Sequence, residues 1–213
     1  MNLAKMIDHT ILKADASRAD VKRLCEEARQ AGFASVCTNT CHTKYVADQL
    51  AGSSVMACAV VGFPLGAMST PAKVAETRQA VVDGAQEIDM VINVGAIKDG
   101  RWEDVEADIR AVVEAAGQAK VKVILETCLL TNDEKVKACQ ASVASGAAFV
   151  KTSTGFSTGG ATVADVTLMK QTVAGKALIK ASGGIRTRAD LDAMVEAGAD
   201  RIGTSNGITI ING

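Results

Sequence analysis

Eight short apolar runs, amphipathic stretches between them and glycines where those stretches end predict a single α/β domain. The predicted architecture is a (β/α)8 TIM barrel over residues 1–213. The runs are Met6–Leu12, Ala34–Cys37, Val55–Val61, Ile88–Ile92, Val121–Leu125, Ala147–Val150, Ala177–Ile179 and Arg201–Gly203. Strict alternation with helices implies a parallel sheet, because parallel neighbours need crossover connections. Eight strands without a second domain favour closure over the alternative, an open doubly wound sheet.

The helices carry their own start and stop signals. Ser17 with Asp20, Thr162 with Asp165 and Thr187 with Asp190 read as capping boxes with Asp in the place of Glu, and Thr131 with Glu134 fits the stricter pattern. Pro71 after Thr70 suits the first helical position, where its missing N–H is not needed. "QAGFASV", "DGAQEIDMV", "SGAAFVK" and "EAGADRIG" each put Gly between a helix and the next strand, as a left-handed cap requires.

Composition narrows the function classes. At 48% hydrophobic and only 3% aromatic, the core must be built from Ala, Val, Ile, Leu and Met. Lys plus Arg (23) nearly balances Asp plus Glu (24), with no basic block, so neither nucleic acid nor an anionic membrane is an expected partner. The six cysteines form no C-x-x-C pair and read as reduced, mostly buried thiols of a cytoplasmic protein. Two histidines give no basis for a His-rich metal site. The uncharged stretch from Gln49 to Ala72 is broken by Gly62, Pro64, Gly66 and Pro71, so a soluble protein is expected.

In such a barrel the site lies where strands end and βα loops begin. Phe149-Val150-Lys151 and Leu178-Ile179-Lys180 finish two apolar runs with Lys at the same phase. Neighbouring ammonium groups disfavour each other's protonation, and burial adds to this, so one lysine is expected to titrate near ~7–8 and to supply a nucleophilic amine. Asp89, inside "EIDMVI", is a buried carboxylate that needs a cationic partner and could shuttle protons. Glu126, ending "KVILE", reads as structural. Three glycine-rich loops suit a phosphate: Ser153-Thr154-Gly155 leading to Gly159-Gly160, Ser182-Gly183-Gly184, and Gly203-Thr204-Ser205. No nucleotide P-loop and no G-x-G-x-x-G is present, so no nucleotide cofactor is expected. Cys37 could face the site, although a buried inert thiol is the plainer reading.

The motifs "IDHTILK", "VVGFPLG", "EIDMVINVG", "KVILET", "FVKTSTGF", "IKASGGIRT" and "RIGTSNG" resemble the deoxyribose-phosphate aldolase family, in the same order along nearly the whole chain. The resemblance implies a class I aldolase that cleaves 2-deoxy-D-ribose 5-phosphate to D-glyceraldehyde 3-phosphate and acetaldehyde, with no metal and no cofactor. It implies Lys151 as the Schiff-base lysine, Lys180 as the second lysine and Asp89 as the relay acid. It also implies phosphate contacts at Gly183, Gly184, Ser205 and Asn206, pocket-lining positions at Cys37 and Thr154, and a homo-oligomer. Another Schiff-base sugar-phosphate barrel, or a non-catalytic sugar-phosphate-binding barrel, would share the lysines and the loops. The chain departs from the family at "CTNTCH", where members of this size often have C-V-N-P. It also has Asn206 where many have a second Ser, and it lacks the tail ending in Tyr found in some relatives.

Overall fold

The computed structural model describes residues 2–213. Eight parallel strands follow one another round a closed barrel: β1 (Ile7–Ile11), β2 (Ser35–Thr38), β3 (Met56–Val61), β4 (Glu87–Val91), β5 (Lys120–Ile124), β6 (Phe149–Lys151), β7 (Leu178–Ser182) and β8 (Arg201–Thr204). β8 pairs with β1, with Asp8 opposite Gly203, which closes the ring and removes every sheet edge. The open sheet is thereby excluded. Among the described residues, no helix is long and apolar enough to cross a membrane.

The helices are α1 (Arg18–Ala31), α2 (Thr43–Leu50), α3 (Thr70–Val82), α4 (Val94–Lys98), α5 (Trp102–Ala116), α6 (Asn132–Ala144), α7 (Val163–Val173), α8 (Arg188–Glu196) and α9 (Gly207–Asn212). Reciprocal capping boxes form at Ser17–Asp20, Thr131–Glu134 and Thr187–Asp190. At α7 only half of the box forms. Thr162 accepts from the Asp165 N–H, but the Asp165 carboxylate turns instead to Lys135, 2.5 Å away. α3 begins one residue earlier than expected, behind Ser69, so Pro71 is its second residue and still within the first turn that tolerates it.

Strand alternation divides the barrel into two chemistries. Residues such as Ile7, Val36, Ile88, Met90, Val121, Val123, Val150 and Ile179 point outward into one continuous aliphatic layer beneath the helices. Each such side chain, taken fully from water, contributes roughly 1.5–3 kcal/mol. Their neighbours Asp8, Glu87, Asp89, Lys122, Lys151, Lys180 and Arg201 point inward and meet one another across the barrel. A small apolar group of Cys37, Cys58 and Val60 shares that interior.

One buried ion pair outside the barrel holds the strand that carries Asp89. Lys73 of α3 is wholly buried, and its ammonium donates to the Val91 carbonyl at the end of β4 (2.9 Å) and to Asp108 of α5 (2.5 Å). Thr70 donates to the other Asp108 oxygen at 2.7 Å. Asp108→Leu would leave Lys73 charged and unpaired inside the protein, so we expect a loss of roughly 3–5 kcal/mol in urea unfolding. The double variant Lys73→Met with Asp108→Leu should recover most of it. A single variant as stable as wild type would show that the pair does not anchor β4.

Candidate active site

The two expected lysines do face one another. β6 and β7 are neighbours, and Lys151 stands directly opposite Lys180 in their register. Lys151 ends β6, whereas β7 continues two residues beyond Lys180 to Ser182, so Lys180 lies within its strand rather than at the end. Both ammonium groups donate to the same oxygen of Asp89, Lys151 at 2.8 Å and Lys180 at 2.7 Å. The other Asp89 oxygen accepts from Lys122 of β5 at 2.9 Å and from the Cys58 thiol at 3.2 Å.

A second tier supports this cluster. Asp8 accepts from Ser35 and from Arg201, each at 2.6 Å. Its other oxygen lies 2.6 Å from the Lys180 ammonium, a close ion contact without the alignment of a hydrogen bond. Glu87 takes Lys122 at 2.5 Å and both terminal nitrogens of Arg201 at 3.1 and 3.2 Å. Burial alone would favour neutral forms throughout. Here the opposite charges win. Asp89 is held well below the ordinary carboxylate range, since Lys122, Lys151 and Lys180 outweigh its desolvation. Asp8 is likewise lowered against burial by Lys180, Lys122 and Arg201. Lys180 is raised above its ordinary value because Asp8 and Asp89 overcome its burial, and Lys122 is raised against burial chiefly by Asp89.

Lys122, Glu87 and Arg201 were not expected from the sequence, and Asp8 was expected only at a strand mouth. The available signal was weak: Lys122 has the same strand phase as Asp89, directly opposite it in register.

Above the cluster opens a cavity of about 270 Å³. Lys151 lines it, and Lys180 and Asp89 do not; they lie beneath. All three glycine-rich loops reach the cavity, through Thr154, through Ser182, Gly183 and Gly184, and through Gly203, Thr204 and Ser205. The end of β1 adds Ile11, and the loop after it adds Leu12 and Lys13. Gly183 and Gly184 both have left-handed backbone (φ 87° and 83°), which a residue with Cβ rarely adopts. Gly203 is required by close approach, because a Cβ there would stand 2.9 Å from the Ser182 Cβ and 3.0 Å from the Lys180 Cε.

Two expected contacts lie off the cavity wall. Asn206 stands at the N-cap position of α9 without a side-chain capping bond, and its side-chain oxygen accepts the Ser205 hydroxyl at 3.1 Å. Cys37 is wholly buried, its sulfur 4.0 Å from Asp89 and register-paired with Cys58. Burial above all pushes the pKa of the Cys58 thiol well up. Donor atoms of Cys37, Cys58 and Asp89 lie within 4.8 Å of one another. A metal ion is a poor fit there, because Asp89 already serves three ammonium groups and a further cation would add to four interior positive charges.

The departure at "CTNTCH" has a local reason. The Thr40 hydroxyl donates to Glu76 at 3.0 Å, and the other Glu76 oxygen accepts from the Gly62 N–H at 2.9 Å. Thr40 thus ties the loop after β2 to the loop after β3 through α3, a contact that proline cannot make.

At the carboxyl end of this parallel barrel Lys151 thus meets the cavity, with Lys180 and Asp89 beneath it. The sequence model of the DeoC/LacD family of aldolases matches residues 2–211, and this chain belongs to that family. It is 59% identical over 213 residues to the deoxyribose-phosphate aldolase of Finegoldia magna, with all of both chains covered. It is 56% identical to that of Lysinibacillus sphaericus, covering all of this chain and 96% of the relative. Among solved structures, the tetrameric deoxyribose phosphate aldolase of Aeropyrum pernix superposes with a TM-score of 0.92 at 33% identity, covering 99% of this chain and 89% of that one.

Depressed carboxylates make a definite prediction for acid. Groups with native pKa values below their unfolded values of about 3.9 contribute stability that is complete above that pH and is lost as pH falls through the native values. Wild-type stability should therefore drop steeply below about pH 4. Asp89→Asn should start lower at pH 7 and fall less steeply in acid, measured by urea unfolding at stepped pH. Identical slopes would mean that Asp89 is not the ionised hub of the cluster.

Proposed function

We propose that this protein is a class I deoxyribose-phosphate aldolase that works through a Schiff base at Lys151. The observation that carries the reading is a division among the interior cations: of Lys122, Lys151, Lys180 and Arg201, Lys151 alone lines the cavity. Every ionisable residue on the cavity wall is a cation, Lys13, Lys151 or Arg186, and this favours an anionic substrate. Backbone at Gly183 and Gly184 offers donors to a phosphate, and the Ser205 hydroxyl joins them by turning its proton from Asn206. The names of the relatives supply the particular sugar phosphate.

In this reading the neutral Lys151 amine adds to C1 of the open-chain sugar, and the carbinolamine loses water to give an iminium. The bond that breaks is C2–C3, since C2 is the carbon next to the imine and C3 bears the hydroxyl. As the C3 hydroxyl loses its proton, C3 becomes the aldehyde of glyceraldehyde 3-phosphate. The bonding pair moves to C1–C2, giving the enamine and neutralising the nitrogen. Protonation at C2 and hydrolysis release acetaldehyde and restore the amine. Asp89, hydrogen-bonded to the Lys151 nitrogen, and Lys180, held cationic by Asp8 and Asp89, are the groups placed to move these protons. Neither metal nor cofactor is needed, because the iminium is the electron sink. A cytoplasmic homo-oligomer completes the proposal.

Acetaldehyde followed by borohydride should fix a reduced two-carbon unit on Lys151, read by peptide mass analysis, and EDTA should not lower the yield. Adducts on Lys180 alone would reverse the roles, and no adduct in folded protein would sink the mechanism. A second expectation separates phosphate recognition from chemistry. Ser205→Glu places a carboxylate beside the anion site and should weaken use of the phosphorylated sugar while leaving acetaldehyde trapping intact. Equal loss of both would assign Ser205 to the fold.

A further inference from the structure

Glu126 follows β5 and occupies left-handed backbone (φ 56°, ψ 62°), a conformation disfavoured for any residue with a Cβ. It is only 3% exposed, and among the described residues no cation lies within ion-pair distance of it. Both of its oxygens are taken by one residue. Thr154 donates its N–H to one oxygen at 3.2 Å and its hydroxyl to the other in a short contact. The same hydroxyl accepts the Phe156 N–H at 3.0 Å. Thr154 lies three residues after Lys151 and lines its cavity.

A hydroxyl has one proton and two lone pairs. Glu126 takes the proton and Phe156 takes one lone pair, which leaves a single lone pair for anything in the cavity. We propose that Glu126 is a positioning residue that locks Thr154 as a hydrogen-bond acceptor, and that this acceptor recognises a hydroxyl of the bound sugar rather than its phosphate. A phosphate dianion presents only acceptors, so it is repelled by this lone pair and by the carboxylate behind it. The same anion is drawn toward Lys13 and Arg186 on the cavity wall. Glu126 therefore sets substrate polarity as well as contact: hydroxyl toward Thr154, phosphate away from it. The inference rests on the aldolase reading above.

Glu126→Gln tests it, because an amide can accept only one of the two Thr154 protons and must confront the other with its NH2. The Thr154 hydroxyl then has to turn its proton toward the cavity. In the synthetic direction, acetaldehyde is offered with glyceraldehyde 3-phosphate, with 3-phosphooxypropanal, which lacks the α-hydroxyl, or with 2-methoxy-3-phosphooxypropanal, whose ether oxygen can only accept. Wild type should prefer the hydroxylated acceptor to both. Thr154→Val should cut the preference over 3-phosphooxypropanal about tenfold, the size of one hydrogen bond, chiefly through KM. Glu126→Gln, whose turned Thr154 proton can still meet a hydroxyl, should instead narrow about tenfold the discrimination against the methoxy acceptor. Trapping of acetaldehyde at Lys151 should stay at the wild-type level. Thr154→Ser should retain both preferences; the Val and Ser pair decides the matter if the Gln variant does not fold. Undiminished preference in the Val variant, undiminished discrimination against the methoxy acceptor in the Gln variant, or equal losses with all acceptors and in trapping, overturns the proposal. Wild type without the preference overturns it too. Absence of trapping in wild type would overturn the aldolase reading along with it.

Discussion

Three lysine ammonium groups on one buried carboxylate are the arrangement to which the rest of the barrel is fitted. Lys122, Lys151 and Lys180 come from three consecutive strands and meet Asp89 within 2.9 Å. A lysine in an apolar interior loses its proton, and three together would repel one another. They can coexist because Asp8 and Glu87 stand behind Asp89 and share Lys180, Lys122 and Arg201 among them. The strand registers must be held for this to persist, since a slip of one residue turns every inward side chain out. The surrounding details fit that demand. Gly203 clears space for the Lys180 stem, and Lys73 grips the end of β4 from outside.

Such a cluster is a poor way to stabilise a protein. Buried ion networks often break even against well-packed hydrophobic side chains of similar volume. The free energy of folding comes instead from the aliphatic layer between strands and helices, where Ile, Val, Leu, Met and Ala do nearly all the packing. The barrel thus keeps its stability on the outer face of the sheet and its charges on the inner one.

The fold was legible because both of its signals are local. Apolar runs and capping residues each report on a few neighbouring positions, and the three reciprocal boxes formed at the residues that announced them. Lys151 and Lys180 were legible because they close apolar runs at the same phase. Lys122 was not. Lys120-Val121-Lys122-Val123 reads as an ordinary half-exposed strand with its lysines in water, and only closure of the sheet turns one of them into the dry interior. Glu87 and Arg201 were hidden in the same way. Lys73 lies in α3, and nothing local marks its contact with Asp108 on α5. The left-handed backbone of Glu126 could not be foreseen either, because glycine is the residue that ordinarily signals it.

Charge balance connects these features to the proposed role of Lys151. The interior holds three carboxylates, Asp8, Glu87 and Asp89, against four cations, Lys122, Lys151, Lys180 and Arg201. Loss of a single ammonium proton therefore leaves the cluster neutral. If Lys180 or Lys122 gave it up, a second carboxylate behind Asp89 would lose a partner, since those lysines also bind Asp8 and Glu87. Lys151 bridges to Asp89 only, and Asp89 keeps two other cations when that bridge is neutral. The lysine whose neutral form disturbs the network least is also the one that meets the cavity. Geometry and electrostatics thus favour the same residue for the proposed Schiff base, and they do so for independent reasons.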